Sequence, residues 1–184
     1  MPTPLVLLLR HAEKPDAEAG LKGVTEQGDR DPQSLSVRGW QRAGALVRLF
    51  AAAPEAQVPA RLPRPATLFA APATQAHASR RPVQTLLPLA RELGLEIREN
   101  CASEDPPDAV AKVLLAAPQP VLLCWRHKEM AALAATLLQG RVVPPAWTED
   151  RYDLVWLIRP GGADPALVQL PQLLLPRDSA QPLA

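Results

Sequence analysis

The chain has 184 residues, 47% of them apolar and 21% charged, with a formal net charge of +1. That length suits a single domain that buries its core without a disulfide or metal staple. The near-neutral balance excludes bulk electrostatic attraction to nucleic acid or an anionic membrane.

The apolar run at the start is too short for a signal peptide or a membrane span, so a cytoplasmic location is expected. Cys101 and Cys124 are too few for a disulfide framework and fit two free thiols in a reducing compartment. Several of the 22 prolines gather at 54–65, 144–145 and 171–182. They predict long ordered loops and an irregular Pro-rich tail from about 171, on one domain spanning 1–184.

Pro4 to Leu9 is apolar without polar alternation, the pattern of a strand covered on both faces. The charged, Gly- and Asp-bearing stretch 14–34 reads as a loop over the end of that strand. Ser36 can cap a helix carrying Trp40, Ala43, Val47, Phe50 and Ala51 at helical spacing. Thr67 to Ala71 is a second strand. Ser79 can cap the next helix, with Pro82 in its first turn, an apolar stripe from Val83 to Leu93, and Gly94 as its stop. Leu95 to Arg98 is a third strand, and Asp105 or Asp108 starts a helix through Val110, Val113 and Leu114. Pro120 to Trp125 is a fourth strand. Met130 to Leu138 gives a further helical stripe stopped by Gly140. Leu154 to Ile158 and Leu167 to Leu170 close the series. Strands alternating with helices predict an α/β fold, a three-layer α/β/α sandwich around a mainly parallel sheet.

In such folds ligands bind beyond the carboxyl ends of the strands. Two of the three histidines fall there, each directly after an arginine, in LLLRHAEKP and VLLCWRHKEM. A third basic segment, SRRPVQT, opens the helix after the second strand. Imidazoles, guanidiniums and a helix start converging on one edge make a site for a compact dianion such as phosphate. An imidazole there can attack phosphorus and be released by water, the positive groups can hold the transferred oxygens, and a carboxylic acid can protonate the leaving atom. A zinc site built from His11, His77 and His127 is disfavoured, because no pair has metal-site spacing and arginines adjoin two of them.

The same residues carry a resemblance. LLRHAE (8–13) resembles the Arg-His-Gly/Ala signature of the histidine phosphatase, or phosphoglycerate mutase-like, superfamily. LSVRGWQRAGAL (35–46) resembles its first helix, RPVQTLLPLARELGL (81–95) its Arg-x-x-x-Thr helix, and VLLCWRH (121–127) the strand ending in its second histidine. Order and spacing agree over about residues 5–140. The resemblance implies a phosphoglycerate mutase-like fold, His11 as the nucleophile that becomes phosphohistidine, Arg10 and Arg81 as phosphoryl clamps, and His127 as the fourth side of the pocket. Arg81 is preferred to Arg80 because it stands four residues before Thr85. Ala12 replaces the commoner Gly, and the family's Ser-Pro after the second strand appears as Ala71-Pro72.

For the proton donor the resemblance offers Glu104, with Asp105, Glu129 or no donor as alternatives. His77 alone reads as structural, and Trp147 as packing. The implied activity is metal-independent and cofactor-free hydrolysis of a phosphomonoester or protein phosphohistidine. The substrate would be a small phosphorylated metabolite or a phosphoprotein, with no nucleic acid or membrane partner; substrate identity and oligomeric state are not encoded in any motif. The competing expectation is a non-catalytic phosphate-binding module that keeps the pocket without a working donor.

Overall fold

Val6, Leu7, Leu8 and Leu9 are all fully buried, yet alternate residues enter two different cores. They belong to β1 (Val6–Arg10), a strand covered on both faces and therefore apolar at every position until its end. The computed structural model describes residues 4–51, 62–161 and 165–184. After β1 come α1 (Val37–Phe50), β2 (Thr67–Ala70), α2 (Arg81–Leu93), β3 (Ile97–Arg98), α3 (Pro107–Ala116), β4 (Val121–Trp125), α4 (His127–Leu137), β5 (Leu154–Arg159) and β6 (Ala166–Pro171). Residues 54–61 of the proline cluster at 54–65 lie outside the described residues.

Strand order is β3-β2-β4-β1-β5-β6. β1, β4, β2 and β3 run parallel, while β5 pairs antiparallel with β1 and β6 antiparallel with β5. Leu46, Leu49 and Phe50 of α1 and Leu86 and Leu89 of α2 share a core with Leu7, Leu9, Leu68 and Leu122. Val110 and Leu114 of α3 and Met130 and Leu133 of α4 share another with Val6, Leu8, Phe69 and Leu123. The result is the expected three-layer α/β/α sandwich. Cys124 belongs to the first core and Cys101 to the second, so the sheet stands between two buried free thiols.

Several boundaries differ from the sequence expectation for local reasons. Ser79 is not the cap of α2; Arg80 is, without a side-chain bond, and Ser79 Oγ lies 3.4 Å from the Arg81 amide. β3 starts only at Ile97, because the Leu95 amide still donates to Ala90 and closes α2. Neither Asp105 nor Asp108 caps α3. Pro106 holds that position, the Asp105 carboxylate accepts from the Ala102 amide, and Asp108 sits in the first turn. The tail after β6 has no regular element but is tied down. The Asp178 carboxylate accepts from both terminal nitrogens of Arg42 and from the Leu174 and Leu175 amides, and Leu183 is buried. Among the described residues no helix is long and apolar enough to cross a membrane.

Candidate active site

β1 and β4 are parallel neighbours, but their exits part. β1 leads to α1 on one face and β4 leads to α4 on the other. A crevice opens at such a switch point. The register places Arg10 opposite Trp125, and the His11 amide donates to the Trp125 carbonyl at 3.1 Å. Both Arg-His pairs therefore leave the sheet side by side, and His127 becomes the first residue of α4.

The crevice is a cleft of about 350 Å³ lined by Arg10, His11, Lys14, Gln33, residues 76–79, Arg81, Arg126, His127, Lys128 and Glu149. Arg10, His11, Arg81 and His127 are thus brought together from three separate stretches of chain. Glu104 is not. His77, expected to be structural, is part of the lining. Five arginines and lysines face one carboxylate here, so the site is strongly cationic in a protein whose net charge is +1.

His11 is 6% exposed, and its Nδ1 lies 2.8 Å from the Ala12 carbonyl. An acceptor there fixes the proton on Nδ1 and leaves the lone pair on Nε2. Burial, followed by the nearby charges of Arg10 and Arg81, pushes the His11 pKa down to about 3 against the raising effect of that carbonyl. Burial and Arg10 likewise lower His127 to about 4. Both rings are neutral at pH 7, and His11 holds an unprotonated nitrogen suited to nucleophilic attack.

The two arginines also hold the loops around them. Arg10 is 1% exposed; its Nη1 donates to the carbonyls of Thr148, Glu149 and Arg151 at 3.1, 2.7 and 3.0 Å, and its Nη2 to the Tyr152 hydroxyl at 3.2 Å. The guanidinium also stacks 3.9 Å above the Tyr152 ring, and its buried Nε has no hydrogen-bond partner. Arg81 donates to the carbonyls of Pro32 at 2.8 Å and Ser34 at 3.3 Å. Arg80 does not line the cleft and is mostly exposed, 3.9 Å from Asp31.

The spacing of Arg81 and Thr85 has a physical basis. Thr85 Oγ1 donates back to the Arg81 carbonyl at 2.7 Å and accepts from the Ala12 amide at 2.9 Å. One hydroxyl therefore joins the start of α2 to the residue after His11. Glu13, next along, is clamped by Arg42 through both its oxygens and by Arg38 through Nε. Burial acts to lower the Arg42 pKa, but the carboxylates of Asp178 and Glu13 overcome it and raise it.

Glu104 lies off the cleft, where its carboxylate accepts from Ser103 Oγ at 3.2 Å and the Thr74 hydroxyl holds it below the usual carboxylate range. The alternatives Asp105 and Glu129 are also absent from the lining. The carboxylate that is present, Glu149, was not among the sequence candidates. Its Oε1 is 3.9 Å from His127 Nε2 and its Oε2 is 3.9 Å from Lys14 Nζ. The signal that finds it is strand direction. Because β5 runs antiparallel to β1, the loop before β5 arrives at the same edge as the residues after β1. Trp147, in that loop, packs on Trp156 with ring centroids 4.9 Å apart. Among the described residues no group of three or more His, Cys, Asp or Glu could hold a metal ion.

No protein-family model matches the sequence, and no curated protein matches it. Solved structures do resemble it in fold. A phosphoserine phosphatase variant from Entamoeba histolytica, in complex with phosphoserine, superposes with a TM-score of 0.52 at 12% identity, covering 89% of this chain and 94% of that one. YhfR from Bacillus stearothermophilus gives 0.50 at 15% identity, covering 89% and 95%. The open reading frame Rv3214 of Mycobacterium tuberculosis gives 0.50 at 14% identity, again covering 89% and 95%. Strand order, layer arrangement and these likenesses together show that the chain has a phosphoglycerate mutase-like α/β fold, the one these solved structures share.

Proposed function

We propose that the protein is a metal-independent phosphatase that hydrolyses a phosphomonoester or a protein phosphohistidine through a phosphohistidine on His11. The observation that carries this reading is the neutral His11 ring, tautomer fixed by the Ala12 carbonyl, in a cleft lined by Arg10, Arg81, Arg126 and His127. In the first half-reaction Nε2 bonds to phosphorus as the bond to the leaving atom breaks, and that atom takes a proton. In the second, water attacks phosphorus, the P–N bond breaks, and inorganic phosphate leaves. The cationic lining stabilises charge on the three transferred oxygens. The substrate is a small phosphorylated metabolite or a phosphoprotein met in the cytoplasm, and no residue in the scheme calls for a metal or cofactor.

Steady-state assay with p-nitrophenyl phosphate and phosphoramidate tests this. Wild-type protein should turn both over, EDTA should leave the rates unchanged, and His11→Ala should abolish them. Vanadate binding without turnover of either substrate would instead support the non-catalytic phosphate-binding module. Activity lost to EDTA and restored by zinc would support a metal site.

A further inference from the structure

We propose that Glu149 is the acid that protonates the leaving oxygen and then accepts the proton of the attacking water. The inference rests on the phosphatase reading above, and concerns a residue that no motif in the sequence marks.

Glu149 contributes the one carboxylate among the described residues that line the cleft with His11 and His127. Of the competing acids, Glu129 does not line the cleft and three others are engaged elsewhere. Glu104 bonds Ser103, Asp105 bonds the Ala102 amide, and the neighbouring Asp150 is held by the Thr148 hydroxyl. Glu149, by contrast, lies 3.9 Å from both the His127 ring and the Lys14 ammonium. Those separations exceed a hydrogen bond, so the carboxyl group is free to bond a substrate atom.

Its placement is fixed through the backbone. Arg10 Nη1 grips the carbonyls of Thr148, Glu149 and Arg151, and Arg10 is the residue before the nucleophile. One guanidinium therefore sets the acid loop relative to His11, which general acid catalysis requires. The side chain of Glu149 is 68% exposed, so water reaches it for the second step.

The protons balance without any further reactant. As His11 Nε2 bonds to phosphorus and the P–O bond breaks, the Glu149 carboxylic acid gives its proton to the departing oxygen and becomes a carboxylate. Water then attacks the phosphohistidine, the carboxylate takes one of its protons, and the P–N bond breaks to return a neutral ring.

Leaving-group dependence tests the assignment. β-Glycerophosphate leaves as an alkoxide that needs a proton, whereas p-nitrophenolate does not. Glu149→Gln should lower kcat/KM for β-glycerophosphate by about 10²- to 10³-fold. It should keep kcat/KM for p-nitrophenyl phosphate, which reports the first half-reaction alone, within about tenfold of wild type. Equal losses on the two esters, unchanged rates on both, or the selective loss appearing in Glu104→Gln instead would overturn Glu149 as the acid while His11→Ala still reported the phosphatase. Wild-type protein inert toward both esters would overturn the phosphatase reading and the acid with it.

Discussion

Arg10 carries two duties. It lines the cleft beside His11, yet its terminal nitrogens are held by three carbonyls and a hydroxyl of the 148–152 stretch. The sequence reading of Arg10 as a clamp rests on its neighbour His11. The second duty was not legible, because its partners lie more than a hundred residues away and nothing local announces them. Thr85 shows the opposite case. Its spacing from Arg81 was visible, and the structure supplies the reason, a hydroxyl that donates to Arg81 and accepts from the fully buried Ala12. Thr85→Val keeps the shape but strands the Ala12 amide without an acceptor. An unsatisfied buried N–H costs about 1–3 kcal/mol. Urea unfolding of Thr85→Val should show a lowered midpoint with an unchanged slope; an unshifted midpoint would refute the bridging role.

At the scale of elements, α1 docks directly on the chain leaving β1. Ser36 Oγ accepts from the Gly39 amide and donates to the Glu13 carbonyl, both at 3.1 Å. A Cβ at residue 39 would stand 2.5 Å from that same carbonyl oxygen, so the first turn of α1 requires glycine there for closeness rather than for a special torsion. Gly39→Ala should therefore push the helix away from the site-bearing segment and destabilise the fold by about 1–3 kcal/mol, the range for overpacking. Thermal unfolding measures it, and a wild-type midpoint would contradict the close approach. Most elements were legible because their signals are local: continuous apolar runs for β1, β2 and β4, and a helical stripe between Ser36 and Phe50. The exceptions arise where tertiary contacts decide. β3 pairs only at Ile97 and Arg98, and β5 reads as a strand without revealing its direction. That direction is what brings Glu149 to the cleft, so the proposed proton donor stayed hidden while both histidines were visible.

Across the whole molecule, the site is a cost to the fold in acid. His11, at about 3, and His127, at about 4, both sit below the ordinary 6.5. Between those values and 6.5 the unfolded chain binds protons that the folded chain does not, so unfolding free energy rises with pH across that window. The stability tied to these two rings is fully present above about pH 6.5 and is lost as pH falls toward 3–4. Urea unfolding should thus weaken from about pH 7 to about pH 4, and less so in a His11→Asn, His127→Asn double variant; an equal slope in the two proteins would refute it. The neutral His11 ring is also what the proposed nucleophilic attack needs at pH 7, which links the acid sensitivity of the fold to the proposed chemistry. The phosphoenzyme itself tests that chemistry most directly. Protein mixed with β-glycerophosphate radiolabelled on phosphorus, quenched in alkali and digested, should carry an acid-labile, alkali-stable label on the peptide holding His11, absent from His11→Ala. Turnover without that label, or label on His127 instead, would contradict it.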